Sequence, residues 1–391
     1  MTSATSVKLS VQRLTSPEAL RSLADECTRL AAQMRPRLPF ATPDWLTLWW
    51  RHYRENRLFV RDEFYVHAVR NEHGALVALA PLLVTERPAH GPLRCRNIAF
   101  FGADKNVTEL RGLVCAPEDE AAATAALLTR LFEHSHEWDW LVWDGVRKGS
   151  EAHAALSKHP NFEWRRENTD YVLPLPGSWD DFRASRSRNI KESLRKCYNS
   201  LKRAGHHFQF RVVERPSELP AALNQFFALH QRRASASQLV RHQDVFATPH
   251  SRKFLLDLAA RSGATTELRV FQLQIAGNVV ASRVGFLMGD ELYLYFSGYE
   301  PDWGDFSVMT TTVAESIKWA IEHQVRLVNL SPGTDVSKTR WGATPITTCD
   351  GVLLSNTKRG KVAFDLLSEV HRRSRQGTFL ARLLSVAKRH G

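Results

Sequence analysis

Cysteine is sparse in this chain of 391 residues: Cys27, Cys95, Cys115, Cys197 and Cys349 are scattered, odd in number, and form no C-x-x-C pair. Neither a disulfide framework nor a zinc site follows from that pattern, and a reducing cytoplasm fits it best. Long hydrophobic runs are missing as well. The longest, Ala75 to Val84, is interrupted by Pro81 and is too short to span a bilayer. Met1 to Leu14 holds no apolar segment of the signal-peptide kind. No Ser/His/Asp constellation and no nucleophilic-cysteine motif is visible, and the residue sets for glycoside hydrolysis, phosphoryl transfer and zinc catalysis are not found either. No metal is therefore expected.

What is present is an ordinary globular composition, 43% hydrophobic and 24% charged, on a chain long enough for two domains. The net charge of +12 is unevenly spread. Asp180 to Gly205 holds eight Lys/Arg against three Asp/Glu, and Lys358 to Gly391 holds nine against two, so the remainder is balanced. Two basic elements on a neutral body point to an anionic partner.

The most informative stretch runs from Leu268 to Gly342. Leu268 to Ile275 and Val279 to Leu287 are β-branched and apolar runs separated by Ala276-Gly277-Asn278, a hairpin signal. Gly289-Asp290 turns the chain into Glu291 to Ser297, an aromatic-rich strand. After Gly298-Tyr299-Glu300-Pro301, the spacing of Val308, Val313, Ile317, Ala320 and Ile321 predicts a helix, followed by a strand from Val325 to Leu330. A strand end thus faces a helix start across the loop at 298 to 307, where free N–H groups and the helix dipole can take an anion such as a pyrophosphate. The hydroxyls of Ser307, Thr310, Thr311 and Thr312 cluster in the same turn; they are also ordinary cap and first-turn residues.

These residues carry a resemblance. The block is similar to the GNAT-type acyltransferases, specifically the group associated with bacterial cellulose and envelope polysaccharide synthesis, which is related to the Fem aminoacyltransferases. The matching features are the basic segment Ser187 to Gly205, Gly277 with Val280-Ala281, Gly298-Tyr299-Glu300-Pro301, Phe306-Ser307, and Gly333 with Lys338 and Trp341-Gly342. The match is good over the second half of the chain and weaker over the first. Val308-Met309 stand where relatives often have Pro-Gly, which removes a glycine that would let the backbone approach a pyrophosphate, and Ser337 stands where many have Tyr.

The first half repeats the second. Gly74 to Ala78 matches Gly277 to Ala281, Ile98 to Gly102 matches Leu294 to Gly298, and the helix expected at 118 to 134 with its following strand, Trp140 to Asp144, matches 308 to 330. The expected fold class is therefore α/β, with two tandem GNAT-like units whose mixed, mostly antiparallel sheets are flanked by helices. The divisions are residues 1–175 (scaffold and acceptor side), 176–357 (acyl-donor side) and 358–391 (a basic amphipathic tail). Upstream, Pro17 to Met34 reads as one helix. A second begins at Thr42 with Pro43 in its first position, and its Trp45, Trp49 and Trp50 either pack in the core or line a cofactor pocket.

The resemblance implies direct transfer of an acyl group from a thioester to an amine, with acyl-CoA as co-substrate. Its candidate CoA-binding residues are Phe296, Gly298, Tyr299, Ser307, Thr310, Thr311 and Thr312. Candidate general bases are His230, on a helix expected over 217 to 237, and Asp335, in the loop after the last strand. Arg195, Lys338, Arg340 and Trp341 are candidate substrate-binding residues. The basic helix around Arg195 is either a solvated cationic face or a dock for CoA phosphates, a lipid headgroup or a tRNA backbone; no groove-entering or RNA-stacking motif accompanies it, so sequence-specific nucleic-acid reading is not expected. In the tail, two amphipathic runs around Gln376-Gly377 can pack on the second unit or lie on an anionic membrane, which would place a cytoplasmic protein at the inner membrane face. Three functions stay open: an acyl-CoA-dependent N-acyltransferase for an envelope saccharide or lipid amine, a Fem-like aminoacyltransferase using charged tRNA, and a noncatalytic subunit of polysaccharide synthesis.

Overall fold

The computed structural model describes residues 8–89, 94–104, 107–236, 242–263 and 267–375. The first unit carries strands β1 (Ser10–Arg13), β2 (Asn56–Arg57), β3 (Val60–Phe64), β4 (His67–Arg70), β5 (Leu76–Ala80), β6 (Leu82–Arg87), β7 (Cys95–Phe100), β8 (Val114–Cys115) and β9 (Trp140–Arg147). Its helices are α1 (Pro17–Ser22), α2 (Ala24–Gln33), α3 (Pro43–Tyr53), α4 (Glu120–Glu133) and α5 (Glu151–Ser157). The helix expected over Pro17 to Met34 is thus two helices, parted at Leu23. Thr42 caps α3 by accepting the Trp45 amide, with Pro43 at its first position, as its sequence implies.

Then follow β10 (Phe162–Pro174), α6 (Trp179–Ser185), α7 (Arg188–Arg203), β11 (Phe208–Val213), α8 (Leu219–Ser235), α9 (Pro249–Ala259), β12 (Glu267–Ile275), β13 (Asn278–Met288), β14 (Glu291–Tyr299), α10 (Val308–Glu322), β15 (Leu327–Pro332), α11 (Val336–Thr339), β16 (Thr344–Leu354) and α12 (Lys358–Arg375). The repeat is visible in three dimensions. Strands β7 and β9 run parallel across the α4 crossover, as β14 and β15 do across α10. A long strand of the second unit, β13, corresponds to β5 and β6 of the first, and Pro81 stands between them. Proline has no N–H to give a ladder. There the first unit divides: β5 joins a small sheet ordered β1-β4-β5-β8, while β6 stays in the large one.

The large sheet has twelve strands in the order β11-β12-β13-β14-β15-β10-β16-β9-β7-β6-β3-β2. Its centre joins the two halves of the chain. β10 precedes residue 175 yet pairs with β15, and β16 belongs to the second unit yet pairs with β9. The division at residue 175 therefore does not separate two sheets; each repeat is completed by a strand from the other. The segment 171 to 174, just before that division, is the end of β10.

Aromatic packing closes the seam. The Trp45 ring sits 4.7 Å from Phe40, 5.0 Å from Phe254 and 5.9 Å from Phe286, with centroids in edge-on geometry, so α3 is fastened to the second unit. Trp45, Trp49 and Trp50 are all buried and belong to this core, not to a cofactor pocket. On the opposite face, α6, α7 and α10 cover Phe271, Leu292, Leu294 and Val328. Helix α12 covers 358 to 375; the second run of the tail, beyond Gln376, lies outside the described residues. Among the described residues no helix is long and apolar enough to cross a membrane.

Candidate active site in a wedge between two parallel strands

Strands β14 and β15 pair only between Glu291–Tyr293 and Leu327–Asn329, and then part. Two local features open this wedge. On β14, Leu294 faces Gly285 and Ser297 faces Arg283, so Tyr295 and Phe296 together oppose Val284 as a bulge, which interrupts the ladder and leaves main-chain groups unpaired. On β15, Ser331 (φ 68°) and Gly333 (φ 125°) take left-handed conformations that turn the chain out of the sheet toward α11. Asn329 fixes the turn: its Oδ1 accepts the Ser331 amide at 2.8 Å and its Nδ2 donates to Asp170 Oδ2 of β10 at 2.9 Å.

Ionisable side chains converge on the wedge. Glu109, from the first unit and only partly buried, accepts the Tyr293 hydroxyl at 3.0 Å. Burial pushes its carboxyl up to about 7, against the opposing pull of Lys338, Tyr293 and Arg283. Arg283, on β13, donates to the Leu294 carbonyl at 3.0 Å; burial lowers it to about 10, so it remains a cation at neutral pH. Lys338 donates to the Pro332 carbonyl and lies 3.8 Å from Asp335, its pKa lowered by burial. Arg233, on α8, donates to Ser297 Oγ at 2.8 Å and contacts the His242 ring at 3.0 Å. The buried Nε atoms of Arg233 and Arg283 have no hydrogen-bond partner among the described residues. A carboxyl that titrates near neutrality, set among fixed cations, can take a proton and keep the resulting charge compensated.

The expected site residues divide into three groups. His230 is buried on α8; its Nδ1 lies 2.9 Å from the Ser297 carbonyl and its Nε2 3.8 Å from Asp244, and burial lowers its pKa. That geometry pins the bulged strand to α8, with Phe296 and Gly298 packed against the same helix. Asp335 caps α11 by accepting the Ser337 amide at 3.0 Å. Burial alone would raise its carboxyl, but the Ser337 hydroxyl and Lys338 together hold it below the usual range, which makes it a weak base. Tyr299 stacks its ring under the Arg233 guanidinium, 5.8 Å away.

The hydroxyl cluster does not face a ligand as a group. Thr311 and Thr312 are fully buried, and Thr312 donates back to the Val308 carbonyl at 2.8 Å. Only Thr310 reaches outward, accepting from Arg340 Nη1 at 3.1 Å; Arg340 also reaches Ser193 of α7 at 3.4 Å. Ser307 caps α10 in a left-handed conformation (φ 54°) without a side-chain capping hydrogen bond. The Thr310 and Thr311 amides return to the Ser307 carbonyl at 2.8 and 3.1 Å, so the Val308 and Met309 amides are the open donors at the helix start. A cavity of about 630 Å³ lies between the start of α7 and α11, lined by Arg186, Ser193, Arg340 and Gly342, and Arg340 links it to Thr310. A larger groove of about 790 Å³ runs along α7 and holds Arg195 with Arg183, Arg188, Lys191 and Lys318. Trp341 is not at a substrate site: it is 1% exposed in the α10 core and donates to the Ser337 carbonyl at 2.9 Å.

Residues 188–339 match the family model described as acetyltransferase (GNAT) domain. Over that stretch the chain is similar to a GNAT acetyltransferase domain. No curated protein matches the sequence. Among solved structures, the crystal structure of FemX is 11% identical and superposes with a TM-score of 0.57 over 87% of this chain and 96% of that one. A conserved protein of unknown function from Bacteroides thetaiotaomicron VPI-5482 is 12% identical, with a TM-score of 0.48 over 88% and 100%. A tandem GNAT protein from the clavulanic acid biosynthesis pathway is 11% identical, with a TM-score of 0.45 over 90% and 100%. At 11% identity the likeness to FemX is one of fold; the fold itself is α/β, with mixed, mostly antiparallel sheet flanked by helices. Glu109, Arg233, Arg283 and Tyr293 were not legible as site residues, although an arginine amid the apolar run Val279 to Leu287 is itself a signal.

Proposed function

We propose that the protein is an acyl-CoA-dependent N-acyltransferase of the envelope-polysaccharide group, acting on an amine of a cell-envelope saccharide or lipid at the cytoplasmic face of the inner membrane. The observation that carries this reading is the bulged, splayed β14/β15 wedge with Glu109 projecting into it from the other unit. The Val308 and Met309 amides, with Arg340 bonded to Thr310 in the same turn, are the groups that would hold the diphosphate, and Phe296, Gly298 and Tyr299 lie on the strand that leads to that turn. Acyl-CoA would supply an acyl carbonyl activated as a thioester. Main-chain N–H groups freed at the bulge are placed to polarise that carbonyl. Glu109 takes the proton of the attacking amine as the N–C bond forms and the C–S bond breaks to release CoA as its thiolate, and Lys338 and Arg283 oppose the rise that burial gives the Glu109 carboxyl. His230 and Asp335 act by position: one holds the strand, the other the α11 turn.

The test is thermal stability with and without acyl-CoA. A ligand at one hundred times its Kd stabilises by about 2.7 kcal/mol. In Thr310→Glu that gain should vanish, because a second anion then stands beside the diphosphate and draws Arg340 away. An unaltered acyl-CoA shift in the variant would overturn the donor site. A second reading, transfer from charged tRNA, is favoured by the cationic α7 groove. Under that reading, binding of charged tRNA falls steeply with salt and acyl-CoA gives no shift; indifference to both ligands would indicate a noncatalytic role.

A further inference from the structure

Five large apolar side chains stand exposed among the described residues, and four of them lie at one end of the first unit. Leu58 (72% exposed) and Phe59 (67%) form the tip between β2 and β3; Val362 (61%) and Leu366 (63%) project from α12. A chain of contacts joins these two prongs. Arg359 of α12 donates to the Arg94 carbonyl and lies 3.3 Å from Asp139. Arg94 leads into β7, whose first residue Cys95 pairs with Arg87. Arg87 lies 4.0 Å from Glu55, which also pairs with Arg57 beside the tip. The sheet end between the prongs carries exposed Arg54, Arg57, Arg87, Lys358, Arg359 and Lys361.

We propose that this end of the first unit docks on an anionic lipid bilayer, with Leu58 and Phe59 as one insertion point and Val362 and Leu366 as the other. The tail helix alone suggests surface attachment; the β2–β3 tip supplies a second, folded anchor that fixes orientation. Helix α12 is already seated by its other face, where Phe364 packs 6.0 Å from Trp140 and carries Arg165 at 5.4 Å, so Val362 and Leu366 are left outward. A rigid protein partner would favour a contiguous apolar patch depleted of charge at its centre. Here two small apolar prongs are separated by cations, with Asp365 the acid on the exposed face of α12. A fluid interface accommodates that pattern, since the apolar tips reach the acyl boundary while guanidinium and ammonium groups stay among phosphates.

The inference rests on the proposed site of action at the membrane, but its test needs no acyl donor, so a failure of the donor assignment leaves the result readable. Full-length protein is sedimented with vesicles of phosphatidylcholine alone or mixed with phosphatidylglycerol. Wild type should co-sediment with the mixed vesicles, less so at high salt, and not with the neutral ones. Leu58→Ser with Phe59→Ser should lower the bound fraction about tenfold, and Lys358→Glu with Lys361→Glu should lower it similarly. Both pairs are exposed, so unchanged melting temperatures are expected. Equal binding of wild type and the tip variant, or binding to neither vesicle, would overturn the proposal. The same holds if wild type ignores vesicles but forms a dimer that the tip variant breaks, since the occupant is then a second copy of the chain.

Discussion

Glu109→Gln is expected to lower kcat for acyl transfer by about 100-fold or more, the usual contribution of a positioned general base. The amide keeps the shape of the side chain and can still accept the Tyr293 hydroxyl, so the wedge stays intact while the proton acceptor is lost. In the wild type, the rate should climb as pH rises through the region of 7, where the carboxyl ionises, and Glu109→Gln should lose that limb. A variant that keeps both its rate and its pH limb would move the base elsewhere. Stability gives an independent reading with a defined sign. The folded pKa of about 7 lies above the unfolded value, near 4.3. The native state therefore binds the proton more tightly, and this carboxyl's contribution to stability is full below the unfolded pKa and is lost as pH rises toward 7. Glutamine has no such dependence. The melting temperature of Glu109→Gln relative to wild type should accordingly increase from pH 5 to pH 8, and a constant difference would show that the carboxyl is not desolvated.

Much of the fold follows from local pattern. The Gly277-Asn278 turn between β-branched runs gives the β12/β13 hairpin, and the helical spacing from Val308 to Ile321 gives α10 as found. The repeat was legible because the two units share a hairpin, a glycine-ended strand and a crossover helix. The completion of each unit by the other's strand was not. β10 and β16 are separated by some 170 residues of chain, from Pro174 to Thr344, and nothing in their alternating composition names a partner. The inward turn of Thr312 could have been read, because it lies four residues after Val308 on the same apolar stripe. Glu109 could not: it is one acid in a loop, and only the seam between the units sets it beside Tyr293. The site is thus made by tertiary contact between halves that each look complete in sequence.

That dependence on close approach makes Gly298→Ala the sharpest test of the architecture. A β-carbon there would overlap the His230 nitrogen and come within 2.6 Å of the Leu229 carbonyl carbon and 2.8 Å of the His230 α-carbon. All of these are main-chain atoms of α8, so no side chain can swing aside; either the helix or the strand must move. Overpacking of this kind typically costs about 1–3 kcal/mol, and because the obstacle is backbone the upper part of that range is expected. The displacement would pass directly to function. His230 Nδ1 and Arg233 Nη1 both reach Ser297, the residue before the glycine, so a shifted helix releases the bulge and withdraws a cation from the wedge. Misplacement by about 1 Å can cost on the order of 100-fold in rate. Chemical denaturation and acyl-transfer kinetics of Gly298→Ala should therefore report loss of both stability and kcat. The control is Gly277→Ala, where no atom lies within 4 Å of the added carbon but φ is 79°; it should cost only backbone strain and leave kcat unchanged. If Gly298→Ala were instead as stable and as active as wild type, α8 would not be seated on β14 at this glycine, and the wedge would have to be held open by other means.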